Sequence, residues 1–375
     1  MQFSVAFSLN FAMAFLTLFI YEELGVGNLS EAALWAGTAQ FLSSSSLALM
    51  SPVWGWLCDR IGGKKMLIRV LLAHTTVMGL LSVSTNVYQV LALRLISGMT
   101  SGTSTVVMAI IASSVDEDRL PQAIGYQQSV QTAGLLLGPA VGGAMATVIG
   151  FRSCFLISSI MILTTIPFVL WARFEEGKRS TGPREKIHWK NFKGVSRDFI
   201  GLFSIQAAFN FITPILPIYL TEAGLTGDSL VTYSGLVLTM SSLGYAASVP
   251  VTTKIFKRRV IPILLAIASG IVFLQGFFRE VFAFITLRML QCFLHSAGPS
   301  FLLGQAGKKE SNKGLTMGIM NSARFLGNAV GPFLSSSIAY AVDLTAAFTI
   351  SAIVSLLAAF MTIPRRRQAD SLLKS

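Results

Sequence analysis

Apolar runs of about twenty residues follow one another along almost the whole 375-residue chain, and nothing else limits its fold as strongly. A bilayer core about 30 Å thick takes roughly 20 apolar residues per helix. Twelve such runs can be marked, at 4–21, 33–54, 67–85, 88–112, 122–147, 152–172, 199–220, 230–252, 260–278, 281–305, 315–341 and 344–363. No stretch alternates apolar and polar residues as the strands of a membrane barrel do. Helices are then the way left to satisfy backbone N–H and C=O groups in lipid. The expected fold class is an all-α membrane protein with twelve transmembrane helices. Composition agrees, because a chain with 53% hydrophobic and 12% charged residues cannot wrap a soluble core in a polar surface.

The net charge of +12 would suit nucleic acid, but the basic residues are sorted by side. If the first helix starts in the cytoplasm, all but six of the 29 Lys and Arg residues fall in loops or the tail on that face. Arg152 and Arg279 lie in the opposite loops, and Arg69, Arg94, Arg288 and Arg324 lie within helices or at their ends. That is the positive-inside bias. It predicts a multi-pass protein of the cytoplasmic (inner) membrane with both termini in the cytoplasm, whose partner is the lipid bilayer and not nucleic acid. The chain opens on Met1-Gln2-Phe3 with no basic residue before Arg60, so the first helix is expected to be the anchor, with no cleavable leader. Cys58, Cys154 and Cys292 have no metal-ligand spacing. With three histidines, no metal, phosphate-binding or Ser/His/Asp set can be assembled. Neither a cofactor nor an enzyme is expected.

The chain also repeats. The longest hydrophilic segment, RFEEGKRSTGPREKIHWKNFKGVSR, divides six helices from six. It predicts an N-terminal six-helix bundle over 1–172, a basic cytoplasmic linker over 173–198, a second bundle over 199–364 and a tail over 365–375. LALRLISGM with Arg94 is echoed by ITLRMLQCF with Arg288, and Gly138-Pro139 by Gly331-Pro332. Phe155 is echoed by Phe348, Pro52 by Pro250, and the segment Phe15 to Gly25 by Ile215 to Gly224. Two halves in parallel orientation, with a small molecule held between them near the midplane, form a transporter architecture. Such a protein is expected to act as a monomer.

Three motifs carry a mechanism. Between the second and third helices lies GWLCDRIGGKKML, where the glycines permit a tight turn and Asp59 can accept from N–H groups at a helix start. Here the chain resembles the major facilitator superfamily, whose signature matches at Gly55, Leu57, Asp59, Arg60, Gly62, Lys64, Lys65 and Leu67. The resemblance implies that Asp59 latches the two halves, with Arg60 and Lys64 paired to Asp116, Glu117 or Asp118. At the repeat position Lys257 replaces the acid, so the latch is expected to be one-sided. Arg94 lies inside the fourth helix in an LxxRxxxG pattern like the family's; a buried guanidinium marks a pathway or an internal pairing. The alternative for Arg94 is snorkelling toward the outer head groups. Arg288 is its echo.

The third motif is GLLLGPAVGG. Gly134, Gly138 and Gly142 recur every four residues, one stripe of the fifth helix where small residues let a neighbour approach. In the drug:proton antiporter branch of that superfamily, G-x-x-x-G-P-x-x-G-G is the exporter signature, and Gly134, Gly138, Pro139, Gly142 and Gly143 all match it. Many proton-coupled members hold a carboxylate within the first or fourth helix, whereas every acid here is expected at a helix end or in a loop. The intramembrane groups that titrate near neutrality are His74 and His295. Arg94, Arg288 and His295 are therefore the coupling candidates. Polar and aromatic residues on the helices that line the cavity in this fold supply the pocket candidates Asn10, Phe11, Gln127, Gln128, Gln131, Phe209, Asn210, Asn321 and Arg324.

The expected activity is secondary active export of small amphipathic molecules by alternating access, with protons as the coupled partner. A facilitator or anion-exchange mechanism stays open. The competing reading is a dedicated transporter, exporter or importer, of one metabolite such as a siderophore or organic anion, which the intramembrane arginines would serve.

Overall fold

Lipid offers no water to unpaired backbone groups, and among the described residues all regular structure is α-helical. The structure is a computed structural model and describes residues 1–114, 120–171, 189–255, 260–309 and 313–363. The first span is α1 (Gln2–Met13) with α2 (Leu16–Glu22), the second α3 (Leu29–Ile61) and the third α4 (Gly63–Ser82). The fourth is α5 (Val87–Thr100) with α6 (Thr103–Ser114), the fifth α7 (Leu120–Ile149) and the sixth α8 (Phe151–Leu163) with α9 (Thr165–Trp171). The seventh is α10 (Trp189–Asn210) with α11 (Ile212–Glu222), the eighth α12 (Gly227–Ile255) and the ninth α13 (Ile261–Gln275). The tenth is α14 (Val281–His295) with α15 (Ala297–Lys309), the eleventh α16 (Lys313–Ala341) and the twelfth α17 (Leu344–Thr362). By length and hydropathy alone, 8 stretches of the described residues qualify as membrane-crossing; α5 and α13 are apolar but shorter.

Several boundaries differ from the sequence reading. The segment expected as a loop between the second and third spans is helical on both sides, and only Gly62 separates α3 from α4. Its φ of 96° lies where side-chain-bearing residues are strained, which explains a glycine there. The expected linker is already helical from Trp189, because its last third is amphipathic enough to continue the seventh span; residues 172–188 lie outside those described. Four of the helices that start on the face away from the basic loops are capped by side chains. Asn28 accepts from Glu31 N at 2.8 Å, Asn86 from Gln89 N at 2.9 Å and Asp343 from Ala346 N at 2.6 Å, and Glu280 accepts from Phe282 N and Ala283 N.

Contacts divide the chain into two compact units, Met1–Glu185 with Thr213–Ser242, and Lys186–Ile212 with Leu243–Ser375. This is not the sequence boundary, because parts of the seventh and eighth spans group with the first unit. There Thr17 Oγ1 donates to Pro214 O at 3.1 Å, and Gly143 meets Gly235. Inside the first unit, Phe19 meets Phe155 edge-on at 4.9 Å and Ser159 Oγ donates to Thr75 O at 2.7 Å, fastening the sixth span to the first and third. The second unit has the same seam one repeat later: Ser269 Oγ donates to Ala352 O at 2.6 Å, joining the ninth and twelfth spans. Its core gathers Leu202, Ile205, Leu265, Leu302, Met320 and Ala358.

Candidate functional site

Helices in a bilayer gain little from hydrophobic association and depend on close packing instead, so the glycines of α7 are informative. A Cβ on Gly134 would lie 2.7 Å from Phe7 N and 2.8 Å from both Ala6 Cβ and Phe3 O. On Gly138 it would lie 2.8 Å from Asn10 Cβ and 3.0 Å from Phe7 O and Phe11 N; on Gly142 it would overlap the Phe11 carbonyl. The fifth span therefore rests on the main chain of α1. Pro139 sits inside α7 without breaking it. Gly143 points elsewhere: its Cβ would lie 3.3 Å from Val231 O and 3.5 Å from Gly235 Cα, and a Cβ on Gly235 would lie 2.6 Å from Pro139 O. The motif thus serves two contacts of the first unit, one on α1 and one on α12.

The second unit repeats the start of the first contact. A Cβ on Gly327 would meet Phe203 O, Gln206 Cβ at 2.8 Å and Ala207 N at 3.0 Å, the same three atoms that Gly134 meets on α1, two hundred residues later. Gly331 meets the Ala207 carbonyl as Gly138 meets that of Phe7. Asn10 Nδ2 donates to Ala6 O at 2.7 Å and Asn210 Nδ2 to Gln206 O at 3.0 Å, so the equivalence extends to side chains. At the positions of Gly142 and Gly143 stand the buried Ser335 and Ser336, whose hydroxyls donate to Pro332 O at 2.8 and 2.9 Å.

The intramembrane cations lie in polar networks. Arg94 is buried, so it does not snorkel; its Nη2 donates to Gln40 Oε1 at 2.6 Å, its buried Nε has no partner among the described residues, and Gln40 Nε2 passes on to Ser44 Oγ at 2.9 Å. In the second unit Arg288 Nη2 donates to Phe209 O at 2.6 Å and Nη1 to Gln291 Oε1 at 2.8 Å. That same oxygen accepts from Gln275 Nε2 at 3.2 Å. The Gln291 amide nitrogen then faces His295 Nδ1 at 3.3 Å, and His295 Nε2 meets Ser355 Oγ at 2.7 Å. With Oε1 used twice as an acceptor, the Gln291 nitrogen donates to Nδ1, and the imidazole carries its proton on Nε2 for Ser355. His74 is satisfied differently: Nδ1 donates to Val70 O at 3.0 Å and Nε2 accepts from Ser101 Oγ at 3.2 Å.

The pocket candidates scatter. Gln127 Nε2 donates to Gln131 Oε1 at 3.2 Å and Gln131 Nε2 to Ser104 Oγ at 3.4 Å, a short polar line on α7 and α6. Phe209 meets Tyr245 edge-on at 5.3 Å, with Arg288 5.6 Å from its centroid. Asn210 also donates to Asn328 Oδ1 at 2.8 Å. Asn321 is exposed and Arg324 half-buried on α16. Phe11 is buried and stacked on Phe7 at 5.9 Å, because the glycines of α7 draw that helix over it. The side chains of Gln128 and Asp59, the surroundings of Gly55, and all of Asp116, Glu117, Asp118 and Lys257 lie outside the described parts. Lys64 Nζ donates to Leu170 O at 2.7 Å; Arg60 and Lys65 are exposed.

Sequence reasoning missed Gln40, Gln275, Gln291 and Ser355, and it misplaced Asp198. That residue lies well inside α10 and is 1% exposed, so not every acid is at a helix end or in a loop. The signal was available in the charge spacing of WKNFKGVSRDF, whose apolar positions fit a helical face.

A family model described as Major Facilitator Superfamily matches residues 1–278 and 199–375. The chain is 34% identical over 254 residues to the multi-drug resistance efflux pump PmrA of Streptococcus pneumoniae, a match covering 66% of this chain and 62% of that protein. It is 28% identical over 381 residues to the multidrug resistance protein MdtG of Dickeya zeae, covering 97% of this chain and 92% of the relative. Among solved structures, a bacterial homolog of the human lysosomal transporter Spinster superposes with a TM-score of 0.75 at 14% identity, covering 100% of this chain and 96% of that one.

Proposed function

The chain belongs to the Major Facilitator Superfamily, and from that premise we propose that it exports small amphipathic molecules by proton-coupled alternating access. It is a multi-pass membrane transporter and not an enzyme. In this reading it works as a monomer in the cytoplasmic membrane with both termini in the cytoplasm, the basic loops facing inward, and the halves 1–172 and 199–364 move against each other. The observation that carries the export assignment is the seating of Gly134, Gly138, Gly142 and Gly143 on two neighbouring helices. Near full-length relatives named for multidrug resistance support it. Gly55, Asp59, Arg60, Gly62, Lys64 and Lys65 form the latch, and Asn10, Gln127, Gln131, Phe209, Asn210, Asn321 and Arg324 contribute to the pocket.

For coupling, Arg94, Arg288 and His295 remain the proposed groups, joined now by Asp198. In the network described, a second proton on His295 would oppose the Gln291 amide nitrogen. His295 therefore takes part only if Gln291 moves away from its Nδ1. Transport into proteoliposomes under an imposed pH gradient tests the proposal, with a panel holding a hydrophobic cation and an anionic chelator. Gradient-driven movement of several unrelated amphiphiles is expected; uptake indifferent to the gradient removes proton antiport. Arg94, buried and held by a neutral amide, favours the second reading of a dedicated organic-anion transporter, for which only the anionic compound would move.

A further inference from the structure

Within the second unit, four helices bring two rings and two cations together. The hydrogen bond from Asn210 to Asn328 ties α10 to α16, with Phe209 next to the first residue and Arg324 one turn before the second. A Cβ on Gly244 would overlap the Met289 carbonyl, so α12 lies directly on α14, with Tyr245 next to the first residue and Arg288 next to the second. Phe209 joins the two helix pairs, meeting Tyr245 edge-on at 5.3 Å and lying 5.6 Å from the Arg288 guanidinium. The Tyr245 phenol is in turn within electrostatic reach of Arg324. Arg288 is only 3% exposed, with Nη1 and Nη2 taken by Gln291 Oε1 and the Phe209 carbonyl, so it contributes charge more than free donors. Phe209, Tyr245 and Arg324 are half-buried and reachable. Among the described residues the Arg324 guanidinium and the Tyr245 hydroxyl make no hydrogen bond, and Arg324 no ion pair. The described carboxylates of this unit leave that charge unanswered: Glu280 and Asp343 cap α14 and α17, and Asp198 is not ion-paired with Arg324.

The internal repeat separates what packing needs from what a ligand needs. In its register Asn10 answers Asn210, Pro52 answers Pro250 and Gly138 answers Gly331, which sets Leu9, Leu47 and Gln131 where the second unit has Phe209, Tyr245 and Arg324. The buried arginine alone is common to both copies, as Arg94 and Arg288. The same helix arrangement therefore accepts two leucines and a neutral amide, and the rings and the cation of the second copy answer to something other than the fold. An ionised side chain within a membrane span is by default a mark of function. The group that fits here is an anion carrying a ring. A carboxylate takes two parallel N–H bonds from a guanidinium and a further bond from a phenol, and an aromatic body extends the edge-to-face pair of Phe209 and Tyr245. The field of two arginines disfavours a cation at the same place.

We infer that Phe209, Tyr245 and Arg324 form a binding subsite for aromatic monoanions, with the carboxylate or sulfonate held by Arg324 and the Tyr245 hydroxyl. The inference rests on the reading that the chain carries small amphipathic molecules, and it narrows their class. Equilibrium binding of radiolabelled 1-naphthoate to the purified full chain in detergent tests it, with methyl 1-naphthoate and cyclohexanecarboxylate as competitors and labelled tetraphenylphosphonium measured in parallel. Naphthoate should bind roughly tenfold more tightly than either the uncharged ester or the non-aromatic acid. Arg324→Gln, which installs the residue of the first copy, should weaken naphthoate by roughly tenfold or more and leave tetraphenylphosphonium unchanged. Tyr245→Phe removes one oxygen, keeps the ring, and should weaken naphthoate by about threefold; it decides the matter if the Arg324 variant melts lower than wild type. An ester that competes as well as the acid overturns the assignment, as does unchanged naphthoate binding in both variants. Equal loss of naphthoate and tetraphenylphosphonium in a stable Arg324→Gln protein also overturns it, by making the arginine structural. Binding is read without a gradient, so the two readings fail separately. Tetraphenylphosphonium bound and naphthoate unbound removes this subsite and leaves export of amphiphiles standing, whereas naphthoate bound but never moved in proteoliposomes removes export and leaves the subsite.

Discussion

Gly142→Ala puts the close-approach argument at risk most directly. A methyl carbon at residue 142 would lie 2.9 Å from the carbonyl carbon of Phe11 and 3.1 Å from its Cα, with the carbonyl oxygen nearer still. Carbon atoms prefer about 3.5–4.0 Å, and all three neighbours are main chain, so no rotamer can relieve the overlap. The first and fifth spans must instead separate by about 1 Å. Overpacking of this kind costs about 1–3 kcal/mol, while replacing a helical glycine by alanine returns about 0.8–1.0 kcal/mol. With backbone on every side the upper part of the range applies, for a net loss of about 1–2 kcal/mol. Gly270 on α13 supplies the control, since among the described residues nothing lies within 4 Å of a Cβ there; Gly270→Ala should be neutral or stabilise by up to about 1 kcal/mol. At about 2–4 °C per kcal/mol, thermal melting of the purified protein separates the two. Gly142→Ala should melt about 2–8 °C lower and Gly270→Ala no lower than wild type, while Gly142→Leu should insert normally and transport nothing. If Gly142→Ala melts with the wild type, the seam is not as tight as described and the reasoning fails.

Other expectations concern the polar groups. Arg152 binds Glu23 at 2.9 Å and also donates to Ser82 O and Ser84 O at 3.2 and 2.8 Å. The partly exposed ion pair is worth at most about 1 kcal/mol, so Glu23→Gln should hardly shift the melting temperature, whereas Arg152→Ala should cost about 1.5–3 kcal/mol by abandoning two carbonyls; equal shifts would assign the effect to the ion pair alone. Gln40→Leu should reproduce much of the transport defect of Arg94→Leu, because it leaves the guanidinium buried without its acceptor; normal transport in Gln40→Leu would show that Arg94 acts without it. For His295, retention of pH-driven transport in His295→Gln would make the residue a packing link, and loss of the pH dependence with the protein still stable would make it a coupling group.

Much of this was readable beforehand, and the reason differs by feature. The stripe of Gly134, Gly138 and Gly142 has the period of a helix turn, so its face follows from spacing alone, and the echo at Gly327 and Gly331 predicts that the same contact occurs twice. Phe11 could not be placed in that way: an aromatic in a uniformly apolar run carries no mark of which side it faces. Gln40, Gln291 and Ser355 were invisible for a similar reason, since neutral polar residues acquire meaning only when a partner from a distant span arrives. Asp198 was lost because the hydropathy run begins at residue 199, while the helix begins where amphipathic spacing begins, at Trp189. The fourth span is divided at Ser101-Gly102 without any proline to announce it, whereas Pro299, in the first turn of α15, was the mark in the sequence of the break at Ser296.

Gly62 has a mechanical consequence. It closes α3, donating from its N–H to Cys58 O at 3.0 Å, and opens α4, its own carbonyl accepting from Met66 N at 3.2 Å. One residue therefore carries the chain from a helix of 33 residues, about 50 Å long, into the next, with no slack between them. A rotation at the far end of α3 arrives at α4 undiluted, as through a rigid crank, and a few flexible residues inserted after Gly62 would let either helix turn without dragging the other.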